Sequence, residues 1–190
     1  MSSTRSALAT STMTAGELEQ LGKTLDPCEL WDGHLVVREP ESYYGSALGA
    51  VLCELLSAHV RERRLGWVSG ASAGFWLRDD PDRVLSPDLA FVSRARVAAI
   101  PPRGFLRAVP DLVAEIRSSR DSWNYMLQRG GTWIAEGAQV VWLVDTEPRR
   151  AVTLRPDQPP VEIGPGGVLS GAPVVPDFHV DLDKLFECLQ

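Results

Sequence analysis

Lysine is nearly absent from this chain. Of nineteen basic residues only Lys23 and Lys184 are lysines, and the others are arginines. This bears on proton transfer. A lysine can lose its proton when its environment lowers its pKa, whereas arginine stays charged. Cysteine is also scarce. Cys28, Cys53 and Cys188 are widely spaced and form no CxxC or other zinc-ligand pattern, so reduced thiols in a cytoplasm are the expectation. No apolar run approaches the roughly 20 residues that span a bilayer, which argues against a membrane protein. The first dozen residues are rich in Ser, Thr and Ala. They lack a solid apolar stretch and read as a disordered tail rather than a signal peptide. Positive charge is in deficit: the net charge of −6 disfavours a broad nucleic-acid surface but leaves room for a local groove. No GxxxxGK[ST] phosphate loop is present.

What is there reads as one α/β domain over residues 13–190, a length sufficient for a real core. Thr14 and Glu17 fit a capping box that opens a short helix to about Leu21. Asp32-Gly33 between apolar-rich runs predicts a hairpin, with Glu29 on its first strand. Leu48, Val51, Leu52, Leu55, Leu56 and His59 recur at helical spacing and predict an amphipathic helix over about 44–64, with His59 partly buried. Arg61, Arg63 and Arg64 crowd its end, either complementing the helix dipole or forming a phosphate patch. Residues 66–77 read as one or two strands bent at Gly70–Gly74, and 79–82 as an Asp-rich turn.

Two strands carry the acids of interest. One covers Leu85–Val92 and includes Asp88. The other covers 110–117, where alternation puts Glu115 and Arg117 on one face and Leu112, Ala114 and Ile116 on the other. Between them, Arg94, Arg96, Arg103 and Arg107 either line a substrate groove or sit in a solvated loop. Ser118, Ser119 and Ser122 are cap candidates for a helix over about 122–136, which Gly130-Gly131 weakens unless it packs closely on a sheet or breaks there. Residues 139–144 read as a central strand and 151–154 as its antiparallel partner. Residues 156–176 read as loops, and 182–189 as a short closing helix. The set predicts a mixed sheet flanked by helices.

Magnesium takes oxygen ligands in octahedral geometry, typically one or two carboxylates with water and a substrate phosphate. Asp88 and Glu115 on neighbouring strands could supply the carboxylates and the Ile116 carbonyl a third oxygen. Such an ion would polarise a phosphate and lower the pKa of an attacking water. The same acids could instead be strand-end partners of Arg117 or Arg129 in salt bridges.

The order Ser86-Pro87-Asp88, Glu115-Ile116-Arg117, a Trp-containing helix and then Gly137–Asp145 resembles the Uma-type family of restriction endonucleases, in the PD-(D/E)XK nuclease superfamily. The likeness runs from about Met13 to Phe186, and the Glu29 hairpin also resembles the family's early strands. It implies a restriction-endonuclease-like fold with an N-terminal hairpin extension. It further implies a cytoplasmic enzyme that hydrolyses phosphodiester bonds in DNA with Mg2+, or Mn2+ in its place. Asp88 and Glu115 match the metal-binding acids and Glu29 the accessory acid. The family's lysine, fourteen residues after the glutamate, is Arg129 here, and the strand position two after the glutamate is Arg117. Both are expected to contact phosphate. Neither can act as a general base, a loss that typically costs ~10²–10⁴-fold in rate. The alternative is a member of the same fold without catalysis, in which Arg129 neutralises the acids and the domain binds nucleic acid or protein. A homodimer holding one duplex is a further expectation.

Overall fold

The computed structural model describes residues 12–21, 28–38, 40–117 and 120–189. The expected tail at residues 1–11 and the cap candidates Ser118 and Ser119 lie outside the described residues. In chain order the elements are α1 (Ala15–Leu21), β1 (Cys28–Trp31), β2 (His34–Val37), α2 (Tyr43–Glu62), β3 (Gly66–Gly70), β4 (Phe75–Arg78), β5 (Arg83–Leu85), β6 (Leu89–Ser93) and β7 (Leu112–Ile116). There follow α3 (Trp123–Glu136), β8 (Val140–Asp145), β9 (Arg150–Leu154), β10 (Val161–Ile163), β11 (Val168–Ser170), β12 (His179–Asp181) and α4 (Leu182–Glu187).

The main sheet has six strands in the order β10-β9-β8-β7-β6-β3. β7 and β8 are parallel, and α3 supplies the crossover that a parallel pair requires. The other pairs are antiparallel. β8 is buried at all six positions, as a central strand covered on both faces should be. Leu112, Ala114 and Ile116 of β7 pack toward Leu48, Leu52 and Leu56 of α2. Val113 takes the opposite face, with Met126 and Trp133 of α3. Each fully buried leucine of α2 contributes about 1.5–3 kcal/mol relative to exposure. Leu55, expected on the same stripe, is instead 43% exposed, and Val60 continues the buried face.

The amino-terminal half follows its local signals. Thr14 and Glu17 close the capping box: the Thr14 amide donates to Glu17 Oε2 (2.7 Å) and the Glu17 amide to Thr14 Oγ1 (3.3 Å). Asp32 (φ 53°) and Gly33 (φ 78°) both adopt positive φ, as a two-residue type I′ hairpin turn demands. Ser122 caps α3, its side chain accepting from the Tyr125 amide. A Cβ on Gly130 would come within 2.7 Å of Leu154 Cδ1, so glycine there lets α3 sit close on β8 and β9 without breaking.

Two expectations need correction. The run 85–92 is not one strand. Pro87 has no amide hydrogen to give a ladder, and the chain changes sheet at Ser86-Pro87-Asp88. β5 belongs to a second sheet in the order β2-β1-β5-β4, and β6 to the main sheet. The hairpin extension is thereby tied to the core through β5 and through a small cluster of Leu18, Leu30, Leu35 and Val84. Residues 156–176 are not all loop either, since β10 and β11 form there as three-residue strands that pair with β9 and β12.

Candidate active site

The sheet change at Ser86-Pro87-Asp88 places Asp88 one residue before β6. In the antiparallel register Leu89 pairs with Ala114, so Asp88 comes beside Glu115. The Ile116 amide donates to Asp88 Oδ2 at 2.7 Å, which fixes that carboxylate against the end of β7. Glu115 lies on the α3 face and accepts from Trp133 Nε1 at 2.7 Å through Oε1. Glu29 reaches the same place from the second sheet. It accepts from the Ser86 amide (2.8 Å) and from Trp31 Nε1 (3.0 Å). Three acids that are far apart in sequence thus meet at one end of the main sheet, and all are buried.

Two arginines enter this cluster. Arg129 of α3 is 2% exposed and grips Glu29 in a fork, Nη1 to Oε2 at 2.8 Å and Nη2 to Oε1 at 2.7 Å. Its Nη2 also donates to the Ser86 carbonyl (2.9 Å). Its Nε lies 2.7 Å from Glu115 Oε1, but the N–H does not point at that oxygen, so the contact is a charge pair without a hydrogen bond. Arg38, just beyond β2, donates from Nη1 to the Ser86 carbonyl and from Nη2 to Asp88 Oδ1 at 3.3 Å. It also sits 3.6 Å from Glu29 Oε1.

These contacts divide the acids. Burial alone would raise the pKa of Glu29, but the Arg129 guanidinium, with help from Arg38 and the Ser86 amide, outweighs it and holds the group at about 2. Asp88 goes the other way, pushed up to about 7, first by burial and then by a hydrogen bond with the Glu41 carboxyl; Arg38 and the Ile116 amide oppose this only in part. Glu115 is raised to about 7 as well. Burial dominates there and Arg129 opposes it, while the charge on Asp88 adds to the rise.

Asp88 also meets open space. Two cavities, of about 370 and 200 Å³, share Glu41, Ser46, Ala71 and Asp88 in their walls. Arg38, Ser72 and Ser86 complete the smaller one. A larger hollow of about 560 Å³ between α2 and α4 contains none of Glu29, Asp88 and Glu115.

Of the residues expected from sequence, the structure brings together Glu29, Asp88, Glu115, Ile116 and Arg129. It does not bring Arg117. That side chain binds Asp145 (3.0 and 3.1 Å) and the Asp121 carbonyl (2.9 Å) at the end of β8. Three of the four loop arginines are engaged elsewhere too: Arg94 stacks on Trp67, Arg96 binds Asp111, and Arg107 covers Trp76 and binds Asp79, while Arg103 is exposed and lines neither cavity beside Asp88. Arg38 and Glu41 are the site residues that the sequence reading passed over. For Arg38 a signal existed. The two-residue turn pairs Glu29 with Val36, and Arg38, two residues on, falls on the same face. For Glu41 there was none, because its place beside Asp88 depends on how α2 docks.

Among the described residues, no group of three His, Cys, Asp or Glu side chains could hold a metal by itself. Magnesium does not require one, since one or two carboxylates with water and substrate phosphate suffice. Asp88 and Glu115 are an oxygen-only pair whose burial favours protons over bare charge. A divalent cation would satisfy the same need, so the donor set fits such an ion. Protons and the arginines Arg129 and Arg38 compete with such an ion for these carboxylates.

A mixed sheet flanked by helices, with acids gathered where β6 and β7 meet, defines the restriction-endonuclease-like class of α/β nuclease folds. A family model supports this reading over residues 15–183: the chain belongs to the Uma2 family, described as "Putative restriction endonuclease". The fold is similar to the crystal structure of a "putative nuclease belonging to DUF820" from Anabaena variabilis, with a TM-score of 0.79 and 18% identity, covering 94% of this chain and 99% of that one. No curated protein matches the chain in sequence. No helix among the described residues is long and apolar enough to cross a membrane.

Proposed function

We propose that this protein is a metal-dependent endonuclease that hydrolyses phosphodiester bonds in DNA, with Asp88 and Glu115 holding Mg2+ or Mn2+ and the Ile116 carbonyl as a third oxygen. The observation that carries the reading is the pair of buried carboxylates, Glu115 on β7 and Asp88 just before β6, brought side by side with one of them in the wall of a cleft. When bound, the cation would polarise the scissile phosphate and acidify an attacking water. The protein's own part is positional. Trp133 and the Ile116 amide fix the two carboxylates, and Glu29 anchors Arg129 and the Ser86 amide rather than meeting substrate. Arg129 sets the local field from behind Glu115. Neither Arg129 nor Arg38 can take a proton from water, so turnover is expected to be slow.

A second reading keeps the fold without hydrolysis. The grip of Arg129 on Glu29 and its charge pair with Glu115 favour it, because part of the acid cluster is already neutralised. Arg129 makes no fork with Glu115 or Asp88, however, so the second reading does not displace the first.

The test is Mg2+ and Mn2+ titration calorimetry on the wild type and Asp88→Asn, with plasmid nicking on the same samples. The first reading expects binding and metal-dependent nicking in the wild type, both lost in the variant. Binding without nicking would favour the second reading. No binding at millimolar metal would end the metal site.

A further inference from the structure

Among the described residues, the wall of the cleft beside Asp88 holds one cationic side chain, Arg38, next to the carboxylates of Asp88 and Glu41. The two arginines expected from sequence to contact phosphate are both committed elsewhere, Arg129 by burial against Glu29 and Arg117 at Asp145. Arg38 differs from Arg129 in being 23% exposed and from Arg117 in lining the cleft, and its contact with Asp88 is long, at 3.3 Å. Its position is nonetheless held, because Nη1 donates to the Ser86 carbonyl and the turn beside it is pinned by Glu29. The hydroxyls of Ser72 and Ser46 and the N-terminal end of α2 border the same space.

We propose that Arg38 is the phosphate-contact residue of this cleft, binding a non-bridging oxygen of a nucleic-acid backbone phosphate. This rests on the nuclease reading above and goes beyond it by naming the residue that holds the substrate's charge. A guanidinium presents five N–H groups, so it can keep the Ser86 carbonyl and still offer donors to an anion. The neighbouring carboxylates of Asp88 and Glu41 repel a bare phosphate, and Arg38 is the group that offsets this repulsion and orients the backbone.

The role predicts two effects of opposite sign. Arg38→Ala removes a cation from beside Asp88 and from in front of a phosphate. Metal binding should stay equal or tighten, while binding of a nucleic-acid backbone weakens. The experiment measures a fluorescein-labelled 16-base-pair DNA duplex by anisotropy in EDTA across a salt series, on wild type, Arg38→Ala and Arg38→Lys. Mn2+ binding by calorimetry runs alongside. The expected result is about a tenfold or greater loss of duplex affinity in Arg38→Ala, with the salt slope reduced by about one unit. Arg38→Lys should recover the slope but only part of the affinity, because it cannot form a planar fork. Equal duplex binding and an unchanged slope in Arg38→Ala would overturn the proposal and leave the nuclease reading standing. No duplex binding by the wild type would overturn both. Loss of duplex and Mn2+ binding together, with a lowered melting temperature, would make Arg38 a scaffold residue and also overturn the proposal. Since Arg38 is partly exposed, its loss is expected to leave the fold intact, and Arg38→Lys keeps the charge as a second check.

Discussion

Glu29 and Asp88 meet at the same Ser86 turn, Glu29 through the Ser86 amide and Asp88 two residues along the chain; both are buried, and they behave in opposite ways. Glu29 accepts four hydrogen bonds, two of them from one guanidinium, and is held ionised down to about pH 2. Asp88 accepts one amide and one long arginine contact, has a second carboxyl beside it, and is raised to about 7. Burial is the same starting penalty for both. The number and charge of the donors decide which way each group goes. The difference also separates roles. A saturated carboxylate has no lone pair to give to an ion or substrate, so Glu29 builds the site. A carboxylate short of donors and open to a cleft is the one that can take a ligand.

Removing the carboxylates one at a time is the strongest way to break this contrast. Glu29→Gln leaves the buried Arg129 charge without its fork and should cost roughly 3–5 kcal/mol in denaturant unfolding. Asp88→Asn should cost little or even stabilise the metal-free protein, because it removes an acid that burial already disfavours. Equal losses in the two variants would sink the distinction between them.

The pH dependence sharpens it. Asp88 and Glu115 are raised from ordinary carboxylate values to about 7, so between about pH 4 and 7 the folded protein holds protons that the unfolded chain has released. Stability must then fall as pH rises through that window. Glu29 is lowered from 4.5 to about 2, so its contribution is present above the unfolded value and is lost as pH falls toward 2. Calorimetric melting temperatures should decline from about pH 4 to 7, and the double variant Asp88→Asn/Glu115→Gln should flatten that decline. A decline of unchanged slope in the double variant would refute the assignment.

The smallest effect is expected at Arg117. It binds Asp145 at the far side of β7, so Arg117→Ala should leave Mn2+ affinity within about twofold of wild type. A large loss would return Arg117 to the acid cluster.

Much of the architecture was legible because its signals are local. The Thr14–Glu17 box, the Asp32-Gly33 turn and the Ser122 cap each need only a few neighbouring residues. The stripe of leucines in α2 and the unbroken apolar run of β8 need only a period. The errors fell where a partner decides. Leu85–Val92 has the composition of one strand, yet Pro87 lets it serve two sheets. The runs of β10 and β11, three residues each, are too short to announce themselves and exist because β9 and β12 offer a ladder. In the candidate site, Glu115 was proposed from its strand position and Asp88 from likeness to a family, and the fold brings the two side by side. Arg117 was misplaced because alternation fixes a face of the strand but not where a long side chain beyond its end will reach.

By itself, the sequence determined most of the order of strands and helices, the acids Glu29, Asp88 and Glu115, and arginine rather than lysine at positions 117 and 129. These depend on covalent order and short-range preference. Only the tertiary structure decided which acid is saturated, which arginine is buried, and that Arg38 and Glu41 stand at the cleft. Those outcomes depend on the docking of the hairpin sheet against β7 and α3, which sets how many donors reach each carboxylate and how much water is left beside it.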